Sequence, residues 1–213
     1  MEIISSDPQI FVFHDTFTPK IISTFLKQIV PYLQRSTVNV NKTSSSISEH
    51  RTSKGVSFHS DGMITKLYNY VGALTSLRWE SFENFQIANY GIGGHYETHH
   101  DTKNPGKIET IFSSNHRIAT FMIYLTDVEK GGATVFPQAN LSVVPKAGKA
   151  VFWYNLNPDG NPCDETRHGA CPVVIGDKYI ANIWVREHGQ EFTRPCNLDQ
   201  NDTKYKWPNM NIK

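Results

Sequence analysis

From residue 84 onward the chain breaks into short runs rich in β-branched and aromatic residues, and no other feature restricts its fold as strongly. FQIANY (85–90), RIATFMIYLTDV (117–128), ATVFP (133–137), LSVVP (141–145), KAVFWYNL (149–156), CPVVIG (171–176) and KYIANIWVRE (178–187) follow one another, separated by Gly, Pro, Asn and Asp. Many short strands at this spacing predict a sandwich, a jelly roll or a barrel. The first third reads differently. Residues 18–33 space Ile21, Ile22, Phe25, Leu26, Ile29, Val30 and Leu33 at helical intervals, behind Thr18 as N-cap and Pro19 as first helical residue. Residues 60–77 repeat the pattern with Met63, Ile64, Leu67, Val71 and Leu74, while 36–57 are polar and Ser/Thr-rich and predict a loop or a weak hairpin. At 213 residues the chain suits one domain with a sizeable core. The expected organisation is therefore a single, mainly β domain. Residues 1–83 form a helical N-terminal support, 84–196 the β core, and 197–213 a polar tail.

Composition narrows the function classes. With 38% hydrophobic and 19% charged residues the sequence is that of a folded globular protein. A net charge of +1 with no Lys/Arg block removes the usual electrostatic case for nucleic acid or an anionic membrane. No apolar run approaches the roughly 18–20 residues that span a bilayer. MEIISSDPQIF lacks the basic and apolar regions of a signal peptide, so Met1 reads as a cytosolic start or as the start of a fragment. Asn41, Asn140 and Asn201 each open an Asn-X-Ser/Thr tripeptide, which is a glycosylation candidate in a secretory protein and also arises often by chance. Three cysteines, Cys163, Cys171 and Cys196, allow one disulfide and one free thiol.

Chemistry concentrates in GGHYETHHDT, residues 93–102. His95 and His99 bracket Glu97, but a zinc-protease helix needs its glutamate directly after the first histidine. Gly91, Gly93 and Gly94 also make a poor helix start. On an extended backbone, residues i and i+2 share a face. His99 and Asp101 can then hold one ion while His100 points away. An imidazole and a carboxylate make up two-thirds of the facial triad of non-haem Fe(II), and a distant histidine must complete it. Of His116, His168 and His188, His168 stands immediately before a β-run, where a strand edge would hold it. His188 lies in a polar turn past the last run, and His116 near a strand start. A surface histidine beside an aspartate remains the bland alternative. Lys178, ten residues after His168 in an otherwise apolar run, adds weight, because a buried lysine needs an anion such as the far carboxylate of a 2-oxo diacid. The alternative there is an exposed strand edge.

These residues belong to longer stretches, IANYGIGGHYETHHD, NHRIATFMIYLTDVEKGGATVFP, KAGKAVFWYNL and TRHGACPVVIGDKYIANIWVREHGQEFTRPC. Together they closely resemble the catalytic domain of collagen prolyl 4-hydroxylase α subunits. DPQIFVFHDTFT and HRTSKGVSF extend the likeness loosely toward the N-terminus. The family consists of Fe(II)- and 2-oxoglutarate-dependent dioxygenases on a double-stranded β-helix, a jelly-roll or cupin-like core. The resemblance implies that His99, Asp101 and His168 bind the iron and that Lys178 pairs with the far carboxylate of 2-oxoglutarate. It implies that Tyr90 helps hold this cosubstrate, that Thr120 contacts the same carboxylate, and that Tyr96 and Trp184 lie near the peptide proline. It further implies a Cys171–Cys196 disulfide with Cys163 free, O2 as co-reactant and rescue by ascorbate. A collagen-like polypeptide substrate, assembly of the full α subunit with protein disulfide isomerase, and the endoplasmic reticulum lumen complete the picture. Lysine at 178, rather than the arginine of the oxygen-sensing prolyl hydroxylases, points to this secretory branch. The α subunits' signal peptide, dimerisation region and peptide-substrate-binding domain have no counterpart in these 213 residues. A dioxygenase acting on another substrate, or an inactive peptide-binding relative, are the competing classes.

Overall fold

Thr18 caps the first helix. In the computed structural model, which describes residues 1–36, 38–41, 44–46, 50–59, 62–102 and 115–196, its Oγ1 accepts from the Ile21 N–H at 3.4 Å, and Pro19 occupies the first turn. Helix α1 (Pro19–Ile29) buries Ile22, Phe25 and Ile29, whereas Ile21 and Val30 of the predicted stripe are exposed. The helix stops at Ile29, four residues before the predicted end. Pro31 has no N–H to continue the ladder, and a short 3-10 turn, Val30–Tyr32, closes it. Helix α2 (Gly62–Thr75) buries Ile64, Leu67, Tyr68 and Val71 on one face.

Sixteen strands follow the chain among the described residues: β1 (Glu2–Ser6), β2 (Gln9–Phe13), β3 (Gln34–Arg35), β4 (Val38–Asn41), β5 (Ser44–Ser46), β6 (Lys54–Phe58), β7 (Phe85–Tyr90), β8 (Tyr96–His99), β9 (Arg117–Tyr124), β10 (Val128–Gly131), β11 (Thr134–Phe136), β12 (Leu141–Val143), β13 (Ala150–Tyr154), β14 (His168–Ala170), β15 (Val173–Gly176) and β16 (Lys178–Arg186). Eight of them form an antiparallel sheet in the order β1-β2-β13-β9-β16-β7-β6-β3, and four form a second, β12-β11-β14-β8. Strands β10 and β15 pair alone, as do β4 and β5, which form a hairpin within the polar 36–57 segment. This is the double-stranded β-helix expected from the sequence, a jelly roll with helices packed outside. The first 83 residues are more than a helical support: β1 and β2 extend one edge of the large sheet, and β6 and β3 the other.

The inner strands of the large sheet, β2, β13, β9, β16 and β7, are buried on both faces, which explains why they read as continuous apolar runs rather than alternating ones. Phe11, Phe13, Phe121, Ile123, Phe152 and Ile183 point outward to Ile22, Phe25, Ile64, Leu67 and Val71 of the helices. Ile10, Val12, Met122, Tyr124, Val151 and Trp153 point inward, against Phe136, Val143 and Val173. Because side chains alternate along a strand, this register also decides which residues face the interior. On β16 they are Lys178, Ile180, Asn182 and Trp184, and all four line one cavity.

Candidate metal centre

Pairing of β14 with β8 sets His168 directly opposite His99. Asp101 follows two residues after His99, in the bend that leaves β8. One potential ligand atom from each of His99, Asp101 and His168 lies within 4.8 Å of the others. His99 Nε2 is 3.5 Å from Asp101 Oδ1, and His168 Nε2 is 3.6 Å from Oδ2. The two-residue spacing thus brings together the pair it predicted, and the strand pairing supplies His168 from 67 positions further along the chain.

Both rings are oriented by main-chain carbonyls. His99 Nδ1–H donates to Glu97 O at 2.8 Å and His168 Nδ1–H to Thr166 O at 3.0 Å. A carbonyl can only accept, so the proton sits on Nδ1 and each Nε2 presents its lone pair to the cluster. Burial pushes the His168 imidazole down, to about 4, so it is neutral near pH 7. Burial alone would raise the Asp101 carboxyl, but His168, His99 and Arg117 beside it outweigh that effect, and it lies well below the usual carboxylate range. A carboxylate with two imidazoles, each with Nε2 turned toward it, is the donor set of a 2-His-1-carboxylate Fe(II) site.

Asp101 is itself braced. Its Oδ2 accepts from Thr120 Oγ1 at 2.7 Å and from the Trp184 indole N–H at 3.0 Å, and Asn155 Nδ2 donates to Thr120 Oγ1 at 3.0 Å. These partners come from neighbouring strands, since Thr120 on β9 stands opposite Trp184 on β16. The Thr120 hydroxyl, expected at the far carboxylate of a cosubstrate, is hydrogen-bonded here to Asp101. The hydroxyl nearest Lys178 is that of Thr134, 3.5 Å from Nζ and also hydrogen-bonded to Tyr124. Trp184 lines the cavity, with its N–H committed to Asp101 and the Arg117 guanidinium 3.7 Å above its ring.

The cavity has a volume of about 410 Å³, within the range of small-ligand sites. Lys178 is 0% exposed, six residues before Trp184 on β16 and opposite Tyr90 on β7. Its Nζ lies 5.4 Å from the Tyr90 ring and 5.7 Å from the Tyr124 ring. Among the described residues no carboxylate pairs with it, and burial lowers its ammonium to about 7. Tyr96 stacks on His99 at 3.7 Å between ring centres.

Other candidates stand outside the three-residue cluster, although His100 still lines the cavity. His100 turns to Asp164 at 3.5 Å, His95 bonds Gly93 O, and His116 meets Thr102. His188 lies in a surface turn, its N–H bonded to Asn115. The three cysteines are free: Cys163 buried, Cys171 half-buried and Cys196 exposed. The Cys171–Cys196 bridge that the resemblance implies is not present in this structure. Cys171 follows β14 with its N–H on Ala133 O, whereas a side chain at Gly160, in the loop that also carries Cys163, would come within 3.9 Å of Cys196 Sγ. Asn140 is exposed, in a left-handed turn (φ 52°) between β11 and β12. The Asn41 side chain, Asn201 and the tail from 197 lie outside the described residues.

Sequence reasoning missed Arg51, Gln86, Arg117, Thr134 and Asn182, which also line the cavity. Arg51 arrives through an isolated bridge to Tyr96. Arg117 is clamped by Glu83, which also holds Arg186 at 2.7 Å. Nothing local in the sequence marks these residues, because each reaches the site by strand register alone.

Residues 85–186 match the family model of the 2OG-Fe(II) oxygenase superfamily, and the chain carries an oxygenase domain of that superfamily. Its similarity is to a particular branch. It is 41% identical to chicken (Gallus gallus) prolyl 4-hydroxylase subunit alpha-1 over 199 residues, covering 91% of this chain and 38% of that protein. It is likewise 41% identical to human (Homo sapiens) prolyl 4-hydroxylase subunit alpha-3, over 94% of this chain and 38% of that one. The chain therefore spans well under half the length of these relatives. In fold it resembles a viral collagen prolyl hydroxylase from Paramecium bursaria Chlorella virus-1 in complex with 2OG (TM-score 0.68, 24% identity, 83% of this chain and 95% of that one). It also resembles a Trichoplax adhaerens prolyl hydroxylase in complex with a hypoxia-inducible-factor peptide (TM-score 0.59, 15% identity, 83% of each chain).

Proposed function

We propose that the chain is the catalytic part of a prolyl 4-hydroxylase, which hydroxylates C4 of peptidyl proline in collagen-like or proline-rich polypeptides. The observation that carries this reading is a pair of features in one cavity: two histidines and an aspartate converge at one place, and a fully buried lysine, without a carboxylate partner among the described residues, stands at another. A five-carbon 2-oxo diacid answers both, with its keto acid toward the metal and its far carboxylate on Lys178.

His99, Asp101 and His168 would hold Fe(II) from one side and leave its other positions facing the cavity. The bound metal, with 2-oxoglutarate and O2, supplies the oxidation in which the cosubstrate becomes succinate and CO2 and one oxygen atom enters the proline. The chain supplies orientation. Thr120 and Trp184 fix Asp101 by two hydrogen bonds, and main-chain carbonyls fix both imidazoles. Lys178 offers a point charge inside an otherwise uncharged lining of Tyr90, Tyr124, Thr134 and Ile180. A desolvated ammonium is favourable only with its anion present, so the site discriminates against oxo acids that lack a second carboxylate. Tyr96 and Trp184, beside the metal ligands, would flank the substrate proline. Ascorbate as rescuing reductant, protein disulfide isomerase as partner of a longer chain, and the endoplasmic reticulum lumen belong to the same reading. The test is succinate release with Fe(II) and 2-oxoglutarate, coupled to mass spectrometry of a (Pro-Pro-Gly)n peptide. A gain of one oxygen per succinate is expected, and succinate release that no proline peptide stimulates would overturn the substrate assignment.

A further inference from the structure

The inward face of β16 presents its side chains to the cavity in a fixed order, Lys178, Ile180, Asn182 and Trp184. Successive inward positions on a strand lie roughly 6.6 Å apart. Lys178 marks one end of the row as the cation. Trp184 marks the other as the metal end, because its indole N–H holds Asp101. Asn182 stands one position from Trp184 and two from Lys178, opposite Gln86 on β7 and Met122 on β9. It is only 9% exposed, and it lines the cavity. Among the described residues its carboxamide has no hydrogen-bond partner. A polar group buried to this degree is normally paired, so a ligand in the cavity is where its partner belongs.

Most donors around the three candidate metal ligands are already committed. Thr120 Oγ1 and Trp184 Nε1 both donate to Asp101 Oδ2, and both imidazole Nδ1–H groups donate to main-chain carbonyls. Arg117 is held by Glu83 with its guanidinium over the Trp184 ring, and Arg51 donates to Ser53 and Gln86. The amide N–H groups of Asn182 remain free. Along β16 the cavity wall therefore reads ammonium, apolar side chain, neutral amide, metal end. A five-carbon 2-oxo diacid reads the same way: a carboxylate, two methylenes, then a keto acid that offers only acceptors.

We propose that Asn182 is a cosubstrate-binding residue, its amide N–H donating to the C1 carboxylate of 2-oxoglutarate while Lys178 takes the far carboxylate. The assignment rests on the prolyl hydroxylase reading for the identity of the diacid, and it adds a donor at the end of the molecule opposite Lys178. A neutral amide suits that place, since it offers an N–H without setting a further charge beside Asp101. It also makes one strand the gauge of the diacid, with Ile180 against its methylenes and a polar group at each end.

The test uses the protein loaded with Mn(II) and calorimetric titration of two ligands. One is 2-oxoglutarate; the other is 4-oxobutanoate, the same molecule without its C1 carboxylate, followed by displacement where it binds weakly. Asn182→Ala removes the donor and should raise the Kd of 2-oxoglutarate by about tenfold, the scale of one hydrogen bond to a charged group. Asn182→Asp keeps the shape, turns donor into anion, and should lose more than Asn182→Ala. Both variants should leave the Kd of 4-oxobutanoate and the affinity for Mn(II), read by electron paramagnetic resonance of the free ion, where they were. Lys178→Ala is the reference, since it should weaken both ligands. An unchanged 2-oxoglutarate Kd in either variant would overturn the assignment. Equal losses on the two ligands would overturn it as well, because a merely structural role moves both, and so would a loss of Mn(II), which would place the effect at Asp101. If the unsubstituted protein binds no 2-oxoglutarate, the reading of the cavity itself fails and the assignment falls with it, a result distinct from a failure seen only in the variants.

Discussion

Binding of 2-oxoglutarate should draw a proton from solution, and the amount follows from the burial of Lys178. The lysine has no exposed surface, and desolvation lowers its ammonium to about 7. At pH 8 only about one protein in ten then carries the charge in the empty pocket. The far carboxylate favours the charged form and returns the group toward its ordinary value of about 10.4. Uptake should therefore be about 0.9 proton at pH 8, about 0.5 at pH 7 and about 0.1 at pH 6. The affinity should fall by roughly tenfold per pH unit above 7, because protonation precedes pairing. The sign for folding is the reverse. A lysine lowered in the folded state holds fewer protons than in the unfolded chain between about 7 and 10.4, so its contribution to stability rises with pH across that window. Isothermal titration calorimetry in buffers of different ionisation enthalpy reads the proton count directly. Lys178→Arg should abolish the uptake, since a guanidinium stays charged. No proton uptake at pH 8 by the unsubstituted protein, or the same uptake in Lys178→Arg, would refute the reasoning.

Other outcomes are expected from the same geometry. His99→Ala, Asp101→Ala and His168→Ala should each lose Mn(II) or Fe(II) in a metal titration, while His100→Ala, whose ring faces Asp164, should keep it. Lys178→Ala should raise the 2-oxoglutarate KM by about 10–150-fold, the value of a charge-assisted hydrogen bond in a partly desolvated pocket, with metal affinity unchanged. Thr120→Val removes one of the two donors to Asp101 Oδ2. It should weaken metal binding by about tenfold and leave the cosubstrate KM where it was. A change in that KM without a change in metal affinity would return Thr120 to the cosubstrate carboxylate.

The parts of the site legible in the sequence are those that local backbone geometry fixes. His99 and Asp101 share a face because two residues separate them on an extended segment, and that needs no knowledge of the fold. Lys178 announced itself by sitting in an apolar run, where its burial demanded an anion. Thr18 and Pro19 placed the start of the first helix by capping chemistry. Its end was harder to read, since an apolar stripe continued past Pro31 into residues that the tertiary structure leaves exposed.

Whatever depended on register was hidden. The family pattern placed Thr120 at the cosubstrate, yet the pairing of β9 with β16 sets it opposite Trp184, and both donate to Asp101 from across the sheet. The hydroxyl near Lys178 is donated instead by β11, 44 residues earlier in the chain. Thr120 leaves no periodic signal because β9 and β16 are buried on both faces, and β11, with three residues, is too short to carry one. Arg51 is the extreme case. It lies in a polar segment that reads as a loop, and its bridge to Tyr96 at the start of β8 brings a guanidinium to the cavity wall. The three candidate ligands are fixed by one strand pairing and one two-residue spacing, whereas Arg51, Gln86, Arg117 and Asn182 come to the same cavity from four separate segments of the chain.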